Sequence, residues 1–244
     1  MSVVLIGDLP QGKLLVTDAM VSPNGEVKSY RDCKLRDKIC KSVTSHGYYS
    51  LVGDGTILYG MDMLDSWASK NGNHLDFTEY SAMKGTLDIT EKIIIAIGKT
   101  GRNQNEHLND NLSYVYTISP RMAALYYIER QKNRYHITRP SKVFNNEVSV
   151  NYAGFIESVD IHIFQNADPK DCIEIAANYI KKHHEIRVTS NKKSLNYEFD
   201  NRFCGVLIPR EGDDIVMLPF RSFDEFIITL AGGEWNLIES PPFQ

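Results

Sequence analysis

The sequence predicts an α+β fold in which two antiparallel sheets carry helices on their outer faces. Three observations predict it. Residues 2–17 read as a β-hairpin, residues 55–70 and the stretch opening at Asp168 read as amphipathic helices, and residues 203–218 read as a closing hairpin. The order strands, helix, strands, helix, strands suits two packed sheets flanked by helices.

Ser2 to Gly7 is a short apolar run of the kind found in a buried strand, and Lys13 to Thr17 is its return strand. Between them Pro10 presets φ and Gly12 closes the turn. A second turn is expected at Ser22 to Gly25, loose alternation over 26–34, and further strands at 39–43 and 47–52. After Gly53-Asp54-Gly55 the period changes. Ile57, Leu58, Met61, Leu64, Trp67 and Ala68 recur at helical spacing, and Asn71-Gly72 is a stop signal.

Residues 73–90 fit neither period, and Lys92 to Ile97 reads as a buried strand bounded by Gly98. Residues 99–111 are polar and aperiodic, as in an exposed loop. Strands are expected at 114–118, 125–128 and 135–138, the last two as a hairpin, with more strand material over 148–163. Asp168-Pro169 opens a helix with Pro at its first position and Cys172, Ile175, Ala176, Tyr179 and Ile180 on one face. Lys181 to His184 then fall in its last turn, complementing the dipole. Residues 223–230 suit a short helix. With no internal repeat and no linker-like stretch, 1–244 reads as a single domain with 235–244 a loose tail.

Composition narrows the function. The chain is 244 residues long, 42% hydrophobic and 24% charged, which suits a globular protein with a substantial core. A net charge of −4 gives no electrostatic case for nucleic acid or for an anionic membrane as partner. No apolar run approaches the ~20 residues of a membrane span, and no secretory signal is evident. Cys33, Cys40, Cys172 and Cys204 lack zinc-site spacing and read as reduced thiols, which points to the cytoplasm. No metal or cofactor is expected. His183-His184 reads as helix surface, Glu106-His107 has no partner at ligand spacing, and Gly98 to Gly101 lacks the spacing of a nucleotide-binding loop. The richness in Asn, Lys, Ile and Tyr hints at an AT-rich genome such as a phage's.

Ser2, Asp18 and Lys34 stand 16 residues apart at each step. With the turn ending in Gly12, the run Ser50-Leu51-Val52-Gly53-Asp54 and the helix directly after it, Ser2 to Trp67 resembles the front of a proteasome β-subunit or of its bacterial relative HslV. The chain thus looks like a divergent phage or bacterial member of that N-terminal-nucleophile (Ntn) hydrolase family. The resemblance implies a four-layer αββα sandwich. It also implies that, after removal of Met1, Ser2 is the nucleophile and its own α-amine the base. Lys34 would lower the amine's pKa, Asp18 would orient Lys34, and the backbone N–H of Ser50 would be an oxyanion donor. An α-amine titrates near ~7.7–8.0, already close to working pH, so a modest shift makes it an effective base.

By the same resemblance the chain would be a peptidase working inside a homo-oligomer, a ring or stacked rings. Its substrate would be a peptide or unfolded protein, with an ATP-dependent unfoldase as partner. The family's serine in a later loop has no counterpart in Tyr152 to Phe155, where Ser158 is nearest, and Thr189 to Ser194 gives no clear match to the family's acidic-serine pair. The alternative is therefore a catalytically inactive structural, scaffold or inhibitory protein that kept the fold.

Overall fold

The computed structural model describes residues 3–18, 20–21, 34–35, 38–45, 47–99, 111–131, 134–152, 154–190, 202–212 and 215–222. The expected turn at 22–25, the short helix at 223–230 and the tail at 235–244 lie outside these, as do most of 26–34 and of the polar loop at 99–111. The chain divides into two compact units, 1–40 with 144–244, and 41–143.

The first unit opens on the expected hairpin. Strand β1 (Val3–Asp8) pairs antiparallel with β2 (Gly12–Asp18), with Leu5 opposite Val16. Leu9 and Gly12 close the turn through reciprocal backbone bonds of 2.8 and 3.2 Å. A Cβ on residue 12 would overlap the Ile208 carbonyl, so only glycine admits this close approach of backbones. Two short ladders come next: β3 (Met20–Val21) pairs with β4 (Lys34–Leu35), and β5 (Cys40–Lys41) enters a second sheet.

The second unit is a continuous stretch. Strand β6 (Tyr48–Val52) leads through the Gly53-Asp54 turn into helix α1 (Thr56–Lys70), which ends at Asn71-Gly72 as its sequence signals require. Helix α2 then runs Tyr80–Lys99. The strand expected at 92–97 is thus the last part of a 20-residue helix. The isoleucine run favours a strand only in isolation; here the helix has already been set up by Ala82, Met83 and Leu87, buried at helical spacing. Strands β7 (Asn111–Ile118), β8 (Ala123–Gln131) and β9 (Arg134–His136) cover the three expected strands, with β8 and β9 paired as the expected hairpin, and β10 (Lys142–Phe144) joins the same sheet in the order β10-β8-β7-β6-β5, with β9 also on β8.

The remaining strands return to the first unit. Strand β11 (Val148–Tyr152) pairs with β1, β12 (Phe155–Val159) with β11, β13 (Arg202–Pro209) with β2, and β14 (Val216–Ser222) with β13. The sheet order is β12-β11-β1-β2-β13-β14, antiparallel throughout, so the opening hairpin is its centre. A 3-10 turn at Ile161–Phe164 precedes helix α3 (Asp171–Ser190). Ile173, Ala176, Ala177 and Ile180 of α3 pack on Leu5, Leu14, Val16, Phe203 and Leu207 of the sheet. Gly205 makes room for the helix, since a Cβ there would overlap Ile173.

Helix α3 differs from its expected span at both ends. Asp168-Pro169 form a preceding turn, with Asp171 N–H donating to the Asp168 carbonyl at 2.9 Å. The helix also continues to Ser190, so Lys181 to His184 lie inside it and their dipole role falls away. The fold is therefore α+β, with two antiparallel six-stranded sheets and three long helices among the described residues.

Candidate active site

The candidate site grows out of the central hairpin. Strand β2 ends at Asp18, whose side chain is fully buried. One oxygen, Oδ1, accepts the backbone N–H of Val3 at 2.8 Å and the Lys38 ammonium at 2.8 Å. Lys38 is itself buried, with 7% of its side chain exposed. The neighbouring Thr17 hydroxyl lies 2.8 Å from the Val3 carbonyl, so both polar groups of Val3 are held from β2. On its other side β2 is locked by β13, with Phe203 opposite Asp18. The first described residue of the central strand is thereby held at its N–H by a carboxylate and at its carbonyl by a hydroxyl, both from β2.

Low-dielectric surroundings strengthen a charge's hold on its neighbours. A buried ion pair is poorly suited to stabilise a fold outright, because desolvating both charges offsets their attraction. Its use is to fix position, and here it fixes the position of Val3 N–H beside an ammonium group.

The four expected residues fall in different settings. Ser2 lies outside the described residues, next to the clamped Val3 amide in sequence. Asp18 stands where a strand-end carboxylate was expected and holds Lys38 and Val3. Lys34 contributes backbone to β4, opposite Val21; its side chain lies outside the described residues. Ser50 belongs to the second unit. It is a fully buried residue in the middle of β6, opposite Tyr116, and its hydroxyl has no hydrogen-bond partner among the described residues.

Lys38 is the residue that sequence reasoning missed. It sits among Arg31, Asp32, Lys34, Arg36 and Asp37, a run that looks like a solvated charged face. The signal lay in its two successors: Ile39 and Cys40 are buried and lead into β5, so the charged run ends by entering the core.

A second polar cluster lies within the other unit. Asp54 accepts from Arg130 at 3.0 Å and from the Tyr135 hydroxyl at 2.7 Å, and its other oxygen takes the Thr56 N–H and hydroxyl. Burial pushes the Asp54 carboxyl up, but the Thr56 and Tyr135 hydrogen bonds and the Arg130 charge outweigh it and hold the group below its ordinary value. Burial, then the Asp54 charge, pushes the Tyr135 hydroxyl far above its usual range. Every strong acceptor here has its donor inside the cluster, so it braces the turn that opens α1. The His183 ring stacks on Tyr179 within α3, with centroids 4.0 Å apart.

No protein-family description and no curated protein matches the sequence. Solved structures do match. A mutant described as "Anbu (Gly-1)" from Hyphomicrobium sp. strain MC1 is 11% identical, covers 96% of this chain and 93% of its own, and superposes with a TM-score of 0.51. Anbu from the same strain, at 10% identity over 95% of this chain and 92% of its own, has a TM-score of 0.46 and adds nothing to the comparison. These findings correct the resemblance to proteasome β-subunits and HslV. The matched structure is described as Anbu, not as a proteasome β-subunit or HslV, and a phage origin is not supported. The five features behind that resemblance were a small hydroxyl residue opening the first strand, a Gly12 turn before a strand ending in the acid Asp18, Lys34-Leu35, the Ser50 to Asp54 turn and a following helix. A hairpin-turn-helix of this architecture needs most of them for its geometry alone, so they mark a fold more than a family. An identity of 11% shows shared fold and no more: the chain has a fold like that of Anbu.

Proposed function

We propose that the chain is an N-terminal-nucleophile amide hydrolase acting on peptides, built on an Anbu-like fold. In this reading Met1 is removed, Ser2 attacks the scissile carbonyl, and the freed α-amine takes the hydroxyl proton and returns it to the leaving amine. Asp18 and Lys38, with Lys34 as a second cation, set the field at that amine. The Ser50 N–H serves as oxyanion donor. A four-layer αββα stacking of the sheets, a homo-oligomer enclosing the sites and delivery of unfolded chains by an ATP-driven partner belong to the same proposal.

The observation that carries it is the buried Asp18 carboxylate holding at once the Val3 N–H and the Lys38 ammonium. An ammonium one residue from the proposed nucleophile is where a cation must stand to keep the α-amine neutral at working pH. The test is intact mass followed by turnover of a fluorogenic peptide. Met1 should be absent, and Ser2→Ala should reduce cleavage at least a thousandfold while leaving the fold unchanged. Undiminished cleavage by that variant rules Ser2 out.

A scaffold role is the second reading, and one observation favours it. Tyr152, Gly154 and Phe155 belong to a tight turn between β11 and β12, and the nearest serine, Ser158, sits within the ladder opposite Ser149. The turn thus offers the α-amine no serine hydroxyl. Full retention of Met1 in the native host would decide for this reading.

A further inference from the structure

The outer face of α1 is apolar where solvent would favour charge. Ile57, Met61 and Ala68 point into the second unit and are buried. On the opposite side Tyr59, Met63 and Trp67 are 58%, 42% and 56% exposed. They recur at i, i+4 and i+8, so they form one stripe about 12 Å long. An amphipathic helix normally turns polar residues outward. Three large apolar side chains in a row leave on the order of 300 Å² in water, the size of the patches that mark interaction sites on monomers.

We propose that this stripe is the contact between two copies of the chain, α1 against α1 about a two-fold axis through Met63. The pattern is symmetric: an aromatic ring, a thioether and an aromatic ring at equal spacing. Running a second copy antiparallel sets Tyr59 beside Trp67 of the partner subunit and Met63 beside the partner's Met63. One patch thus covers itself, as a two-fold interface requires. Burying both stripes removes roughly 600 Å² of apolar area, which suits the core of an interface of about 1,200 Å² once the flanking polar residues form its rim. Methionine at the centre adapts to its own copy, and sulfur and aromatic rings pack favourably.

This contact deepens the self-assembly part of the proposed function and is independent of the Ser2 chemistry; Ser2→Ala should assemble like the wild type. The test uses the full chain. Met63→Cys should cross-link to a covalent dimer under mild oxidation at least tenfold faster than Ser69→Cys, an exposed α1 position off the stripe, or than wild type. Trp67→Glu and Tyr59→Glu should each weaken association at least tenfold in sedimentation while leaving unchanged the urea midpoint measured at a dilution where the wild type is monomeric. Equal cross-linking at positions 63 and 69 overturns the antiparallel contact. An unchanged assembly mass in Trp67→Glu overturns the stripe as a contact between copies. A lowered urea midpoint with unchanged mass also overturns it, because the stripe would then be covered within one chain.

Discussion

Asp18 and Lys38 bury two opposite charges at the end of a central strand, and each residue's removal should read differently. Lys38→Met leaves the Asp18 carboxylate buried without that ammonium, which should destabilise the chain by about 3 kcal/mol. Adding Asp18→Asn should recover part of the loss, since the buried carboxylate that Lys38 faced is then neutral. A catalytic contribution has its own signature. The base must be neutral to accept a proton, and a nearby cation favours the neutral amine. Removing Lys38 therefore raises the amine's pKa and moves the rise of kcat/KM to higher pH, by about one unit or more, while Lys38→Arg restores it. A purely structural lysine would change stability and leave the pH profile in place.

Asp54 gives a second prediction at this scale. Its carboxyl is held below the ordinary 3.8, so it contributes stability above that value and loses it as pH falls through the folded-state pKa. Asp54→Asn should flatten the decline of the urea midpoint between about pH 5 and pH 2. Cys172 gives a third. Burial, then the Asp171 and Asp168 charges, push its thiol up to about 12, and it is fully buried. Iodoacetamide at pH 8 should leave Cys172 unmodified in the native protein and label it in denaturant. The strand end at Asp18 and the Gly53-Asp54 turn before α1 were legible from the local pattern. Lys38 was hidden because nothing in a run of charges says which member turns inward.

Among the elements, the α1–α2 pair shows what periodicity reads and what it overlooks. Helix α1 was legible because its inward positions are Ile57, Met61, Leu64 and Ala68. Helix α2 was not, because Thr86 and Thr90 occupy its inward face, fully buried. Their hydroxyls donate back to the Ala82 and Thr86 carbonyls, at 3.1 and 2.8 Å, so threonine sits in the core with its polar atom satisfied by its own helix. A pattern search counts these positions as polar and finds no face. The same residues explain Gly60, where a Cβ would overlap the Thr90 hydroxyl and stand 3.1 Å from the Thr86 carbonyl. Alanine is worth about 1 kcal/mol over glycine inside a helix, so the glycine is kept for contact. Gly60→Ala should nevertheless destabilise the chain by about 1–2 kcal/mol, because the obstruction is a branched, hydrogen-bonded side chain and a backbone oxygen. Thr90→Ala on the Gly60→Ala background should return most of that loss, and urea unfolding of the four variants measures the coupling.

Across the whole chain, the two units differ in how their contacts lie along the sequence. Residues 41–143 form one continuous stretch in which β6, β7, β8 and β9 each pair with a neighbour in chain order. The first unit is assembled from 1–40 and 144–244, and its centre joins β1 to β11 and β2 to β13. Those partners are more than 140 residues apart, which is why the hairpins were legible and the sheet order was not: a turn leaves a local signature, whereas a distant pairing leaves none. Loop-closure entropy must be met before such pairings reward the chain, and proteins of this length fold in stages. Amides of β7 and β8 should therefore gain protection before those of β1 and β11 when refolding is followed by pulsed hydrogen exchange. The lag should shrink when a disulfide engineered with Val4→Cys and Asn151→Cys, which are paired positions, ties β1 to β11 before refolding, since that loop is then already closed. Equal protection times in the natural chain would overturn this order, and earlier protection of β1 and β11 would show that the central hairpin recruits its distant partners before the continuous unit is formed. The proposed nucleophile would then be anchored by the earliest structure in the chain instead of the latest.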